Sequence, residues 1–157
     1  MKKTMQSMKA MMLGFAMTAL MFCFGTQTAT AGDGQKIVRK VLSNVELLED
    51  NYNETIASIQ IDQLTTTTKT RTYTRYLYSG NSYTAVTVGD DNFTDVDMVV
   101  YRKSGSSWIE VDKDADTSNT SVVIFECKQS GDYKFEIKAY KFASGSTMGY
   151  YGFVLSY

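Results

Sequence analysis

Histidine and proline are missing from this chain of 157 residues, and cysteine occurs only twice. Without an imidazole, neither Ser-His-Asp nor Cys-His catalysis can be assembled, and no histidine-based metal site exists. An excess of positive charge is missing as well, the net charge being −1. That argues against nucleic acid or an anionic lipid surface as the main partner. One long apolar run is present, Met11 to Gly25, interrupted only by Thr18. It is short for a bilayer span.

That run belongs to a segment unlike the rest. Lys2, Lys3 and Lys9 precede or open it, and Ala29 and Ala31 follow with the small-x-small spacing of a cleavage site. A basic start, a short apolar stretch and small residues at the exit describe a signal peptide cut after Ala31. The Met-Lys-Lys opening is bacterial in style, so the expected destination is the periplasm, the cell surface or the medium. Cys23 sits inside the apolar run behind Phe22, where a lipoprotein signal needs a small residue. Cleavage removes three lysines and no acid, so the net charge falls from −1 to −4. Cys127 then stands alone. One thiol cannot close an internal disulfide, and Val123, Phe125 and Cys127 alternate onto one strand face, so a buried thiol is expected.

Three segments emerge: the leader 1–31, a helix with a connecting segment over 32–71, and a β-sandwich over 72–157. Residues 33–49 carry helical spacing, with Ile37, Val41, Val45 and Leu48 in one stripe, Val38 and Leu42 widening it, and Asp33 placed to cap. Residues 51–71 read two ways. Ile56, Ile59 and Ile61 suit a short strand or a further helical turn, and the run Thr65 to Thr72 suits an edge strand or an extended linker. Lys69, Arg71 and Arg75 are basic residues of the kind that discourage edge-to-edge aggregation.

From Tyr73 the apolar period is two, with turn signals at short intervals. Strands are expected at Thr72–Tyr78, Tyr83–Val88, Val96–Arg102, Trp108–Val111, Ser121–Lys128, Tyr133–Phe142 and Tyr150–Tyr157. Tyr133, Phe135, Ile137 and Ala139 face inward and Lys134, Glu136 and Lys138 outward; Tyr151, Phe153, Leu155 and Tyr157 repeat the inward set. The fold class is therefore mainly β: an antiparallel, jelly-roll-like sandwich of seven or eight strands with one N-terminal amphipathic helix. A small outer-membrane barrel is the competing architecture, disfavoured by strand length.

The stretch Tyr76 to Tyr157 resembles the bacterial pre-peptidase C-terminal domain. The similarity is carried by Ser79-Gly80-Asn81-Ser82-Tyr83, Gly89-Asp90-Asp91, Asp95-Val96-Asp97-Met98-Val99-Val100-Tyr101, Ser130-Gly131-Asp132-Tyr133 and Gly149-Tyr150-Tyr151-Gly152-Phe153. It implies a non-catalytic β-sandwich module, some relatives of which bind calcium or extracellular polymers such as collagen. The N-terminal helix lies outside that pattern.

Two acidic clusters offer the oxygen ligands that calcium takes: Asp90, Asp91, Asp95 and Asp97, and then Asp112, Asp114 and Asp116. The second opens like an EF-hand, but Thr117 replaces the turn glycine and Val123 the bidentate acid. Their simpler role is to form polar turns. Trp108, Tyr101, Tyr140 and Tyr150 fall opposite the clearest inward residues. They are the candidate binding aromatics if exposed, and a second buried face if the helix lies on them. The expected role is thus binding of a protein or polysaccharide outside the cytoplasm, with calcium the one candidate cofactor and no covalent chemistry. A carbohydrate-binding module using those aromatics is the alternative.

Overall fold

The structure, a computed structural model, describes residues 31–157. The leader expected over 1–31 lies outside the described residues except for Ala31, and Cys23 lies outside them too.

Helix α1 (Ala31–Glu46) passes into a wide π-type turn, Leu47–Asn51. It starts two residues before Asp33, which is therefore not its capping position. Eight strands follow: β1 (Ile56–Thr65), β2 (Thr70–Leu77), β3 (Ser82–Gly89), β4 (Phe93–Ser104), β5 (Ser107–Asp114), β6 (Thr120–Glu126), β7 (Gly131–Phe142) and β8 (Met148–Ser156). They form two four-stranded antiparallel sheets, ordered β1-β8-β3-β6 and β2-β7-β4-β5. This is the wound order of a jelly roll. Both sheets have free edges, β1 and β6 in one, β2 and β5 in the other, so the strands do not close into a barrel.

Alternation places the core where the pattern demands. Tyr133, Phe135, Ile137 and Ala139 are buried against Tyr151, Phe153 and Leu155, while Lys134 and Lys138 lie on the outer face. Burying each such large side chain contributes roughly 1.5–3 kcal/mol before the cost of ordering it. Tyr157 departs from its expected inward position. It is the residue beyond β8 and stays half in solvent, tilted over the Tyr83 ring. Cys127 is buried as expected, its thiol donating to Tyr133 Oη and Gln129 O, both at 3.4 Å. Burial, then the Cys127 contact, pushes the Tyr133 phenol up to about 12.

The segment expected to connect helix and sandwich is part of the sandwich. β1 pairs with β8 along its length, so the sheets begin at Ile56 rather than at 72. Its alternation is inverted. Ile59 and Ile61 point to the outer face beside α1, and Ser58, Gln60 and Asp62 point between the sheets. The polar inner row is matched across the gap, where Arg71 Nε lies 3.3 Å from Asp62 Oδ2 and Arg75 donates to Ser58 Oγ at 3.2 Å. The threonine run is mostly a turn. Thr65 Oγ1 accepts from the Thr68 N–H, and β2 starts at Thr70 as an edge strand.

α1 lies across the outer face of the first sheet, against β8, β3 and β1. Ile37, Val41 and Leu48 are buried on Val86, Val88 and Val154, with Val45 packed beside them. Val38 and Leu42, expected to widen the stripe, remain exposed because the contact is narrow. The helix is further held through Lys36 and Lys40, whose ammonium groups lie 3.2 and 3.3 Å from the Asp91 carboxylate; Lys40 also donates to Gly89 O at 3.0 Å.

Candidate functional site

The two acidic clusters come near each other at Asp97 and Asp114, whose charges interact. Among the described residues, no group of three or more acidic or thiol side chains is arranged to hold a metal ion. Asp90 is buried and already engaged: its carboxylate accepts from Asn92 N–H (2.9 Å), Asn92 Nδ2 (3.1 Å) and Tyr150 N–H (2.9 Å), tying the β3–β4 turn to β8. Asp91 is drawn to the two helix lysines, which hold its carboxyl below the usual carboxylate range. Asp112 accepts from the next backbone N–H, and Asp114 from the Asp116 and Val122 N–H groups, which leaves Asp116 exposed in a solvated turn.

Asp95, Asp97 and Asp114 interact without forming a cage. Asp95 is buried at a bulge in β4, and its Oδ1 has no hydrogen-bond partner. Burial and then the nearby Asp95 charge raise the Asp97 carboxyl, with Asp114 adding to the effect and Lys138 opposing it.

The four aromatic candidates part company. Tyr150 packs against the cluster beneath α1 and serves as core. Tyr101, Trp108 and Tyr140 lie on the outer face of the other sheet, which α1 does not touch. Two of them share one lysine. Lys134 Nζ is 4.2 Å from the Tyr101 ring centre and 5.3 Å from that of Trp108, a pair of cation–π contacts. Tyr140 is exposed, with Lys138 Nζ 5.3 Å from its ring. Along the same face run Thr70, Thr72, Thr74 and Tyr76 of β2, all exposed.

A feature the sequence reading passed over lies at the β2 end of this face. The ends of β1, β2 and β8 and the start of β3 surround a cleft of about 230 Å³, lined by Ala57, Arg75, Tyr76, Leu77, Tyr78, Asn81, Tyr83, Leu155 and Tyr157. Tyr83 forms its buried floor, the hydroxyl accepting from the Tyr78 N–H at 3.1 Å and the ring stacked on Phe125. Tyr76 and Tyr78 meet edge to face, 5.4 Å between centres, and Tyr157 leans over Tyr83 at 5.7 Å. Tyr76, Tyr78 and Tyr157 are each roughly half exposed or more. The sequence pattern marks Arg75 only as an edge-strand charge. The signal that could have marked the place is Arg75-Tyr76-Leu77-Tyr78, where two tyrosines flank a core leucine at a strand end.

No protein-family model and no curated protein matches the chain. Among solved structures, the fold is similar to a pre-peptidase C-terminal domain, that of a collagenase from Bacillus anthracis, at 15% identity and a TM-score of 0.49, covering 62% of this chain and 87% of that one. It is also similar to PliG of Aeromonas hydrophila, a periplasmic inhibitor of g-type lysozyme, at 12% identity and a TM-score of 0.43, covering 63% and 83% of the two chains. The likeness concerns the β-sandwich alone. No helix among the described residues is long and apolar enough to cross a membrane.

Proposed function

We propose that this chain is an exported, non-catalytic binding module that engages an extracellular or periplasmic protein or polysaccharide with the side of the sandwich that α1 leaves bare. The observation that carries this reading is the one-sided placement of the helix. α1 spends its apolar stripe on the β1-β8-β3-β6 sheet, and the opposite sheet faces solvent with the exposed rings of Tyr76 and Tyr140, the Lys134-capped rings of Tyr101 and Trp108, and a row of threonines. Aromatic rings and short hydroxyls on a flat, rigid face suit a polymer that lies along it.

The test is a binding array of immobilised surface polysaccharides and extracellular proteins. We expect at least one to hold the protein, with no turnover of the bound polymer, and the paired change Tyr76→Ala with Tyr140→Ala to weaken it. An empty array, or binding indifferent to the paired change, would overturn the reading.

A further inference from the structure

Resting on the module reading, we infer that the tyrosine cleft at the β2 end takes one carboxylate-bearing pyranose unit of an acidic polysaccharide. The inference begins with Arg75. Its guanidinium donates to Ser58 Oγ at 3.2 Å, and among the described residues it has no carboxylate partner. By contrast, Arg71 pairs with Asp62, Lys103 with Asp132 and Lys113 with Glu110. The cleft contains no acidic residue at all, in a chain whose mature form is acidic overall. A guanidinium with free donors at the rim of an acid-free hollow selects an anion. Its planar fork matches a carboxylate with two parallel hydrogen bonds.

The tyrosines define the rest of the ligand. Tyr78 and Tyr157 present ring surface and hydroxyl edge together around a floor fixed by Tyr83, and Asn81 adds an amide whose Nδ2 lies 3.5 Å from the Tyr83 hydroxyl. Apolar plates with polar tips complement a pyranose, which has carbon-bound hydrogens on its faces and hydroxyls around its rim. Arg75 opposes the other ligand of aromatic cages, a quaternary ammonium, by like-charge repulsion. Size sets the unit. Clefts for drug-sized molecules run to roughly 300–1,000 Å³. A space of about 230 Å³ accepts a single ring and not a folded peptide segment. Ring stacking on tyrosine is also available where Tyr101 and Trp108 cannot offer it freely, because Lys134 occupies their faces.

The experiment is a titration of the full exported chain with a galacturonate oligomer, followed by tyrosine fluorescence and by NMR shifts. Parallel arms use a neutral galactan oligomer and poly-glutamate. The expected result is saturable binding of the galacturonate, weakened by salt, with the neutral oligomer about tenfold weaker or more. Arg75→Gln and Tyr157→Ala are each expected to lose about tenfold, since a charged hydrogen bond or a stacked ring is worth that much. Both residues are exposed, and a melting curve confirms that each variant folds. Ile124→Ser, on the remote β6 edge, is expected to bind like the unaltered chain. Equal binding of poly-glutamate, or full affinity in Arg75→Gln, overturns the sugar assignment. If galacturonate fails while the array still shows a polymer or protein hit, the cleft inference falls and the module reading stands. If both fail, neither survives.

Discussion

Val41 of α1 rests on Gly152 of β8. A methyl group at position 152 would overlap Val41 Cγ2, so the glycine is a seat for the helix and not a flexible joint. Gly152→Val is expected to lift α1 from the sheet while leaving the inner core intact, because Tyr151 and Phe153 face the other way. Overpacking of this kind costs about 1–3 kcal/mol. Amide exchange would show it as lost protection across Ile37–Leu48, with β4 and β7 still protected. Unchanged protection in α1 would contradict the seating.

The lysine clamp gives the same helix a dependence on acid and salt. Lys36 and Lys40 lower the Asp91 pKa by hydrogen bonding first and charge second. A depressed carboxyl stabilises the docked state above the ordinary carboxylate range, and that contribution is lost as pH falls through the lowered value. Asp91→Asn should therefore loosen α1 at neutral pH and flatten its acid response. Because the pair is exposed, added salt should mimic the substitution in part. An α1 indifferent to Asp91→Asn would show that apolar contact alone holds it.

Glu54 closes the join between helix and sandwich. Its carboxylate accepts from Thr84 Oγ1 at 2.8 Å and from Ser156 Oγ at 2.5 Å, both donors being buried, and its own N–H donates to Leu48 O. Just before it, Asn53 takes a left-handed conformation, φ 54°, that asparagine tolerates better than most residues. Glu54→Ala leaves the buried Thr84 hydroxyl without its acceptor and Ser156 Oγ with only Thr84 O at 3.3 Å, at an expected cost of about 1–3 kcal/mol. A urea midpoint unchanged by the substitution would refute that role.

Asp97 should titrate above its usual range, and Asp114→Asn should bring it down. The sign for stability is opposite to that of Asp91. A raised carboxyl favours the fold fully below the ordinary range, and that advantage disappears as pH rises through the raised value. Carboxyl chemical shifts followed through pH would give both values. Adding calcium over chelator is expected to leave the Asp97 titration and the melting temperature unmoved, since Asp90 and Asp91 are already engaged elsewhere. A rise in melting temperature would restore the acidic loops as cation ligands.

The sandwich was legible in the sequence wherever one strand face is dry and the other wet. Tyr133 to Ala139 in β7 and Tyr151 to Leu155 in β8 read correctly because the period-two pattern and burial agree. β1 did not, since its isoleucines point outward beside a helix and its inner row is polar, paired with arginines of the next strand that belong to the other sheet. The helix stripe was legible, but Gly152 as its seat was not, because the overlap depends on a residue about a hundred positions away. Chemistry was harder still. Acid spacing in a loop does not reveal that Asp90 spends its oxygens on the backbone of residues 92 and 150. Nor does a strand pattern tell which sheet a helix will choose, and that choice separated Tyr150 from Tyr101, Trp108 and Tyr140.

The pairing of β1 with β8 also sets an order of events in time. The first strand finds its partner only in the last, so the sheet that carries α1 cannot be completed until Met148–Ser156 is available. Long loop closures of this kind make assembly slow. Under the export proposed above, slow closure would leave the polypeptide linear long enough to be threaded through a translocation channel.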